Sequence, residues 1–208
     1  MTAKQIIERA KAEIGTHEAP PNSNNVKYNT WYYGHPVSGA EYPWCAVFIS
    51  WLFKAEQGLC PRTASCVNML AWFEQKRQIV KSPQAGDIVF FKYSTNNRKT
   101  NHVGLVVSVS DDGRTINTIE GNTSITSQDN GGKVMQRNRY SNIVAYARPH
   151  YESGSLTNIR KSNEEIAKEV RHGVWGNDPV RSQRLKAAGY DPEEIRRLVN
   201  EYYKKMKG

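Results

Sequence analysis

The sequence lacks the features that mark several large classes of protein. No stretch approaches the roughly 18 consecutive apolar residues of a membrane-spanning helix, so we expect no membrane insertion. Residues 1–9 carry charged side chains where a secretory signal peptide has an apolar stretch. We therefore expect synthesis in a cytoplasm without a signal peptide, and any action outside it would need another route of release.

Cysteine is scarce, and its pattern excludes two kinds of scaffold. There are three cysteines, Cys45, Cys60 and Cys66, and an odd number without a signal peptide argues against a disulfide framework. Cys60 and Cys66 lack the two-residue spacing of a metal knuckle, and we interpret both as small buried hydrophobic residues. Cys45 differs from them because it opens an apolar run that extends to Phe53.

Acidic residues are outnumbered, with 29 Lys and Arg against 20 Asp and Glu and a net charge of +9. A basic surface suits nucleic acid, anionic lipid or an anionic cell-wall polymer, and a merely solvated surface explains the charge equally well. The charge is scattered, without a basic stripe interleaved with aromatics, zinc-finger spacing or an RNP motif. We therefore expect no nucleic-acid partner, and the oligomeric state stays open.

Helical patterns come first along the chain and strand patterns follow, which is typical of an α+β fold. Helices are predicted at about 3–14, 45–57 and 64–77, and strands of an antiparallel sheet at 88–91, 102–109, 114–120, 133–138 and 143–148. Residues 16–43 are predicted to form a long loop rich in aromatic residues. We interpret its aromatics as the wall of a substrate groove or, equally, as packing beneath the loop.

The composition changes near Pro149. Residues 150–162 hold Ser, Gly, Asn and Lys and few large apolar residues, which is typical of a linker. Beyond it, Ser162 and Glu165 have the spacing of a helix capping box, and three short helices are predicted. The sequence thus indicates a first domain at 1–149, a linker at 150–162 and a three-helix module at 163–208.

Cys45 is placed to be a nucleophile. Pro43 is excluded from a helix interior, so the helix is predicted to begin at or just after Trp44. A thiol at the positive end of a helix dipole has a lowered pKa and ionises to the nucleophilic thiolate. Free N–H groups at the same helix end can stabilise an oxyanion. The alternative is a buried structural cysteine.

His102 and Glu120 are predicted to meet across a hairpin. An Asp-Gly turn at 112–113 separates the two strand patterns, and residues 102 and 120 are roughly equidistant from it. A carboxylate on imidazole Nδ1 would fix the tautomer and stabilise the imidazolium. Asn122, two residues on, is a candidate to support the same histidine. The alternatives are a structural histidine and a cross-strand ion pair.

The segments around these residues resemble CHAP domains, the cysteine, histidine-dependent amidohydrolase/peptidases that cut bacterial peptidoglycan. The segments are Tyr42–Ala46, Ala85–Phe91, Asn101–Val106 and Ile119–Asn122, and the resemblance spans about residues 3–150. It implies a papain-like α+β fold. It also implies that Cys45 is the nucleophile, His102 the general base and acid, Glu120 the orienting acid and Asn122 an auxiliary polar group.

One feature of some CHAP domains is missing. Those members bind calcium through several aspartates just before the nucleophile, whereas residues 34–42 hold one carboxylate, Glu41, and no aspartate. Calcium takes about six to eight oxygen ligands. We therefore predict no calcium dependence through that site, and no metal or other cofactor.

The C-terminal residues resemble the small cell-wall-binding repeats of certain phage lysozymes. The matching pieces are Glu165–Val170, Gly173–Asn177, Arg184–Asp191 and Val199–Asn200. The resemblance implies binding to the glycan or the first peptide residues of the wall, for which Trp175, Asn177, Arg184 and Tyr190 offer aromatic faces and polar groups. Alternatively, the two aromatic residues form the core of the small bundle.

Together the resemblances imply a peptidoglycan hydrolase of the phage endolysin type, made in the host cytoplasm and acting at the cell wall after release. It would cleave an amide bond, as an N-acetylmuramoyl-L-alanine amidase or as a peptide endopeptidase. Three alternatives stay open. They are a cytoplasmic or injected thiol amidase acting on a small amide, a non-enzymatic wall-binding protein, and a prophage or host remodelling enzyme with the same chemistry.

Overall fold

The computed structural model describes residues 1–54, 58–151 and 162–205. They fall into two compact units, one within residues 1–154 and the other within residues 155–208. Most of the predicted linker, residues 150–162, lies outside the described residues, and the predicted domain boundaries stay a prediction. No helix in the described ranges is both long and apolar enough to cross a bilayer.

Four helices open the N-terminal unit: α1 Ala3–Lys11, α2 Lys27–Tyr33, α3 Cys45–Leu52 and α4 Cys66–Gln75. The prediction of a continuous loop at 16–43 is wrong over Lys27–Tyr33, which form α2. Its Tyr28 is fully buried and packs against Trp44 and Phe48, and the helix ends at Gly34, whose φ of 81° suits glycine. Burial of this aromatic side chain stabilises a helix that is too short and too polar to be predicted from its sequence pattern.

Helix α3 is the buried centre of this unit. Seven of its eight residues are buried. It packs against α2 and against the strands His102–Val109 and Ile116–Thr123. A helix that is apolar on almost every face needs cover on all sides. It ends at Leu52, earlier than the predicted residue 57.

The sheet is antiparallel and six-stranded, and with the helices it confirms the α+β class. Its strands, in the spatial order β1-β6-β2-β3-β4-β5, are β1 Ile79–Val80, β2 Ile88–Phe91, β3 His102–Val109, β4 Ile116–Thr123, β5 Lys133–Arg139 and β6 Ile143–Ala147. The sequence missed only β1, whose two residues are too few to show an alternating pattern. The helices and one face of the sheet share the main core, and a smaller cluster that includes Phe91 and Val106 lies apart from it.

The C-terminal unit has three helices among its described residues, α5 Asn163–Arg171, α6 Val180–Ala187 and α7 Pro192–Lys205. Ser162 and Glu165 form the expected capping box at the start of α5. The core of the unit is small, and its buried residues are Ile166, Ala167, Leu185, Tyr190 and Ile195.

Candidate active site

Cys45 is the first residue of α3, as the position of Pro43 predicted. The preceding residue, Trp44, is fully buried, and its indole Nε1 donates a 2.8 Å hydrogen bond to the carboxylate of Glu18. This bond and the packing of Trp44 hold the start of the helix in place. The thiol therefore lies beside the free N–H groups of the first helical turn.

A second thiol lies against the first. The sulfur of Cys66, the first residue of α4, is 3.5 Å from the sulfur of Cys45, and both residues are buried. The sequence interpretation of Cys66 as a buried residue is confirmed, but its contact with Cys45 was not anticipated. Spacing along the chain carries no signal for it, because the two positions are 21 residues apart.

The surroundings of Cys45 favour its thiolate. A hydrogen bond with Cys66 is the largest cause and holds the pKa of Cys45 well below its usual range. Burial opposes this shift, and the neighbouring His102 and the backbone N–H of Ala46 add to it. The net effect favours the thiolate form of Cys45, which is the form in which a cysteine is nucleophilic.

His102 and Glu120 meet, as predicted, but through a different register. Leu105 pairs with Ile119, so that Glu120 lies across from Gly104 and diagonally from His102. A Cβ at Gly104 would lie only 2.7 Å from Cγ of Glu120. The missing side chain therefore gives Glu120 the room to reach His102, and its Oε2 lies 2.9 Å from Nε2 of that ring.

The structure corrects the nitrogen that the carboxylate contacts. Glu120 bonds to Nε2 of His102, whereas Nδ1 was expected. Nδ1 is buried without a hydrogen-bond partner among the described residues, and is therefore the ring nitrogen available to Cys45 and to a substrate. Burial alone would lower the pKa of His102, but Cys45 and Glu120 raise it to about 9.

Arg139 completes the surroundings of Glu120. Its Nε donates a 2.8 Å hydrogen bond to Oε1 and its Nη2 donates to Oε2, while Thr118 donates to Oε1 at 2.5 Å. The guanidinium also lies over the rings of Phe91 and Tyr93, 5.4 Å from each centroid. Burial would raise the pKa of Glu120, but Arg139 and His102 lower it to about 2, so the carboxylate stays ionised.

Sequence reasoning missed Arg139. The only signal was a basic residue directly after the strand predicted at 133–138. Its reach to Glu120 depends on the pairing of β4 with β5, in which Ile116 lies opposite Arg139, and the strand patterns do not specify that register.

Asn122 is buried and lies two residues after Glu120 in the sequence. Its side-chain hydrogen bonds are made with residues other than Glu120 and His102. Its Nδ2 donates to Oδ1 of Asn130 at 3.3 Å, and its Oδ1 accepts from the backbone N–H of Gly132 at 3.2 Å. These bonds hold the turn before β5, and neither reaches His102. An auxiliary role for Asn122 in catalysis stays a prediction.

The candidate wall-binding residues of the C-terminal unit divide into two pairs. Tyr190 is buried in the core, and Trp175 packs edge to face against it and donates a 2.9 Å hydrogen bond from Nε1 to Glu169. Asn177 and Arg184 are exposed. The aromatic pair serves packing, which leaves the polar pair accessible to a ligand, and wall binding by all four residues stays a prediction.

The site brings the sulfur of Cys45, the ring of His102 and the ionised carboxylate of Glu120 together in one buried cluster. Together with the N–H groups at the start of α3, these are the parts that acyl transfer to a thiol requires. In the described ranges, no group of three or more His, Cys, Asp or Glu residues is arranged to hold a metal ion. The prediction of calcium independence stays a prediction.

Comparison with known families agrees with the resemblances seen in the sequence. Residues 37–122 match the model of the CHAP domain, and residues 164–202 match the model of the CW_7 repeat. The chain therefore contains a CHAP domain followed by a CW_7 repeat, and the family prediction is confirmed. No curated protein matches the chain.

Two solved structures of the protein Ly7917 are similar to the chain. The first, "The crystal structure of Ly7917", shares 16% identity with a TM-score of 0.43 over 72% of this chain and 63% of its own. The second, described as Ly7917 "with the hydrolyzing product of MDP", shares 16% identity with a TM-score of 0.42 over 71% and 63%. The chain thus covers about 63% of the length of these structures.

Proposed function

We propose that this chain, with its CHAP domain and CW_7 repeat, is a peptidoglycan hydrolase that cleaves an amide bond by thiol catalysis. The observation that carries the proposal is the buried thiol of Cys45 at the start of α3, beside a buried His102 whose Nε2 lies 2.9 Å from Oε2 of Glu120. The two families found in the chain support a wall substrate. By resemblance, one cuts peptidoglycan and the other binds it.

The first half of the proposed reaction breaks the amide. The thiolate of Cys45 attacks the carbonyl carbon, and the N–H groups at the start of α3 stabilise the oxyanion of the tetrahedral intermediate. The C–N bond then breaks, and Nδ1 of His102 gives its proton to the leaving amine. The acyl group remains on Cys45 as a thioester.

The second half regenerates the thiol. His102 takes a proton from a water molecule, and the resulting hydroxide attacks the thioester carbonyl. The C–S bond then breaks, the carboxylic acid leaves, and Cys45 returns to the thiolate beside the protonated His102. Glu120 holds the imidazole through Nε2 in both steps and stabilises its charged form, while Arg139 keeps Glu120 ionised.

Two bonds in peptidoglycan suit this chemistry. The first is the amide that joins N-acetylmuramic acid to the first alanine of the stem peptide. The second is a peptide bond within the stem or the cross-bridge. The proposal therefore covers N-acetylmuramoyl-L-alanine amidase and peptide endopeptidase activity. It places the activity at the bacterial cell wall, reached after release from a host cytoplasm as in a phage endolysin. The net charge of +9 would assist approach to an anionic wall.

The test is digestion of purified peptidoglycan by the wild type, by Cys45→Ala and by Cys60→Ala, with mass spectrometry of the soluble products. Cys60 is a matched control, because it is equally buried and burial raises its pKa. We expect products from the wild type and the control, and a loss of at least about 10³-fold with Cys45→Ala. Free glycan chains with intact peptides would identify an amidase, and split stems or cross-bridges an endopeptidase.

Two results would contradict the proposal. Product formation that survives Cys45→Ala would exclude the thiol mechanism. A wild type that releases nothing from walls of several chemotypes would exclude the wall substrate, and soluble small amides would then be the next substrates to test.

A further inference from the structure

The Cys45–Cys66 contact places a second thiol against the candidate nucleophile. Cys45 is 4% exposed and Cys66 is 7% exposed, so water has little access to either sulfur. A thiolate buried in this way is stabilised only by donors that the protein supplies. At 3.5 Å, the S–H of one cysteine is within hydrogen-bond distance of the sulfur of the other.

The charges around the pair decide which sulfur keeps its proton. Cys45 faces His102 from β3 and the N–H of Ala46 from its own helix, and both favour the thiolate. Cys66 faces Cys45 and the carboxylate of Asp129, and both raise the pKa of Cys66 well above its usual range, as does burial. Cys66 therefore stays protonated and is the donor of the pair.

The position of Cys66 is built into the fold. It is the first residue of α4, and the N-cap residue before it, Ser65, accepts a hydrogen bond from the N–H of Asn68. Met69, Leu70 and Phe73 of the same helix are buried in the main core. The helix cannot shift without disturbing this packing, so the donor is held at a defined distance from Cys45. Asp129 is held as well, because its carboxylate accepts a hydrogen bond from Asn101.

We propose that Cys66 is a positioning residue of the active site, whose S–H donates to the Cys45 thiolate and holds that sulfur ready for attack. The proposal rests on the proposed function in one respect, the role of Cys45 as the nucleophile. It assigns a role to a cysteine for which burial alone had seemed a sufficient explanation.

The test measures how fast iodoacetamide alkylates Cys45 as a function of pH in the full-length protein. Peptide mapping by mass spectrometry separates the label on Cys45 from labels on Cys60 and Cys66. The variants are Cys66→Ala, which removes the donor, Cys66→Ser, which keeps a donor, and Cys60→Ala, a matched control that removes the other buried cysteine. No wall substrate is involved, so the result does not depend on which bond the enzyme cuts.

With Cys66→Ala we expect the apparent pKa of Cys45 to rise and alkylation below that pKa to slow by about tenfold, the usual effect of losing a hydrogen bond to a charged group. Cys66→Ser should retain most of the wild-type rate, and Cys60→Ala all of it. If circular dichroism shows that Cys66→Ala does not fold, Cys66→Val fills the same space without a donor and carries the same expectation.

Two outcomes overturn the proposal, and they are distinguishable. If Cys45 is reactive at neutral pH but its pH profile is the same in the wild type, Cys66→Ala and Cys66→Val, only the role of Cys66 fails. If wild-type Cys45 is no more reactive at neutral pH than Cys60, the nucleophile assignment fails, and the proposed function fails with it.

Discussion

Among the described residues, the N-terminal unit holds a buried ion-pair cluster beside its exposed pairs, whereas the ion pairs of the C-terminal unit are at least partly exposed. In the N-terminal unit, Glu120 and His102 are fully buried, and Arg139 is nearly so. In the C-terminal unit, ion pairs such as those of Arg197 with Glu194 and Glu201 lie on the exposed surface of α7. Buried charge is costly unless it is fully paired, whereas exposed pairs contribute little to stability. The buried cluster therefore depends on complete pairing, whereas the surface pairs do not.

The hydrophobic cores of the two units differ in size. The N-terminal unit packs helices and a sheet around α3, and this packing also sets the geometry of the candidate site. The C-terminal unit has a core of only five buried residues, and the aromatic pair Tyr190 and Trp175 is needed to complete it. A unit of that size has few residues with which to form a core, and both aromatic side chains contribute to it.

The largest contrast is expected when one arginine is removed from each unit. Arg139→Met leaves Glu120 buried with one fewer cation, and we expect it to lower the free energy of unfolding by about 3–5 kcal/mol. Arg197→Met should cause no measurable change, because that side chain is exposed. The measurement is denaturant unfolding followed by tryptophan fluorescence, in which Trp31, Trp44, Trp51 and Trp72 report on the N-terminal unit and Trp175 reports on the C-terminal unit.

A matched variant shows whether the effect comes from charge alone. Arg139→Lys keeps the charge but loses the two-pronged contact, so it should be intermediate. Equal losses for Arg139→Met and Arg197→Met would remove the distinction between buried and surface charge on which the comparison depends.

Acid should lower the free energy of unfolding of the N-terminal unit through the protonation of Glu120. The pKa of Glu120 is lowered from 4.5 to about 2, so its contribution to stability is fully present above about pH 4.5 and is lost as the pH falls toward 2. The loss should reach about 3 kcal/mol. Denaturant unfolding at several acidic pH values measures it, and Glu120→Gln, which lacks the titrating group, is the control. Identical pH slopes for the wild type and Glu120→Gln would show that the buried carboxylate does not drive acid unfolding.

The smallest expected effect concerns wall binding by the C-terminal unit. In a Cys45→Ala background, which prevents digestion, Asn177→Ala and Arg184→Ala should each weaken binding to purified peptidoglycan by roughly threefold to tenfold, as expected for the loss of one hydrogen bond. Co-sedimentation measures the bound fraction. Gln183→Ala is the control, because Gln183 is exposed on the same helix as Arg184. If Asn177→Ala and Arg184→Ala both bind like this control, the ligand site lies elsewhere on the unit.

The sequence predicted the elements of the site better than their contacts. Local signals located the start of α3, since a proline precedes an apolar run there, and the Asp-Gly turn located the hairpin of β3 and β4. The register of that hairpin was not predictable, because its pairing shifts between Val106 and Ser108. A β-bulge of this kind inserts one residue and leaves no reliable mark in the sequence.

The amino-acid sequence by itself determined the α+β class, the order of the chemical groups along the chain and the helix-start position of Cys45. These follow from periodicity, turn residues and a single proline, all of which act locally. Only the tertiary structure decided that Gly104 makes room for Glu120, that Arg139 forms an ion pair with Glu120, and that the sulfur of Cys66 lies against that of Cys45. These contacts join residues on different strands and helices, and their distances are set by how the elements pack.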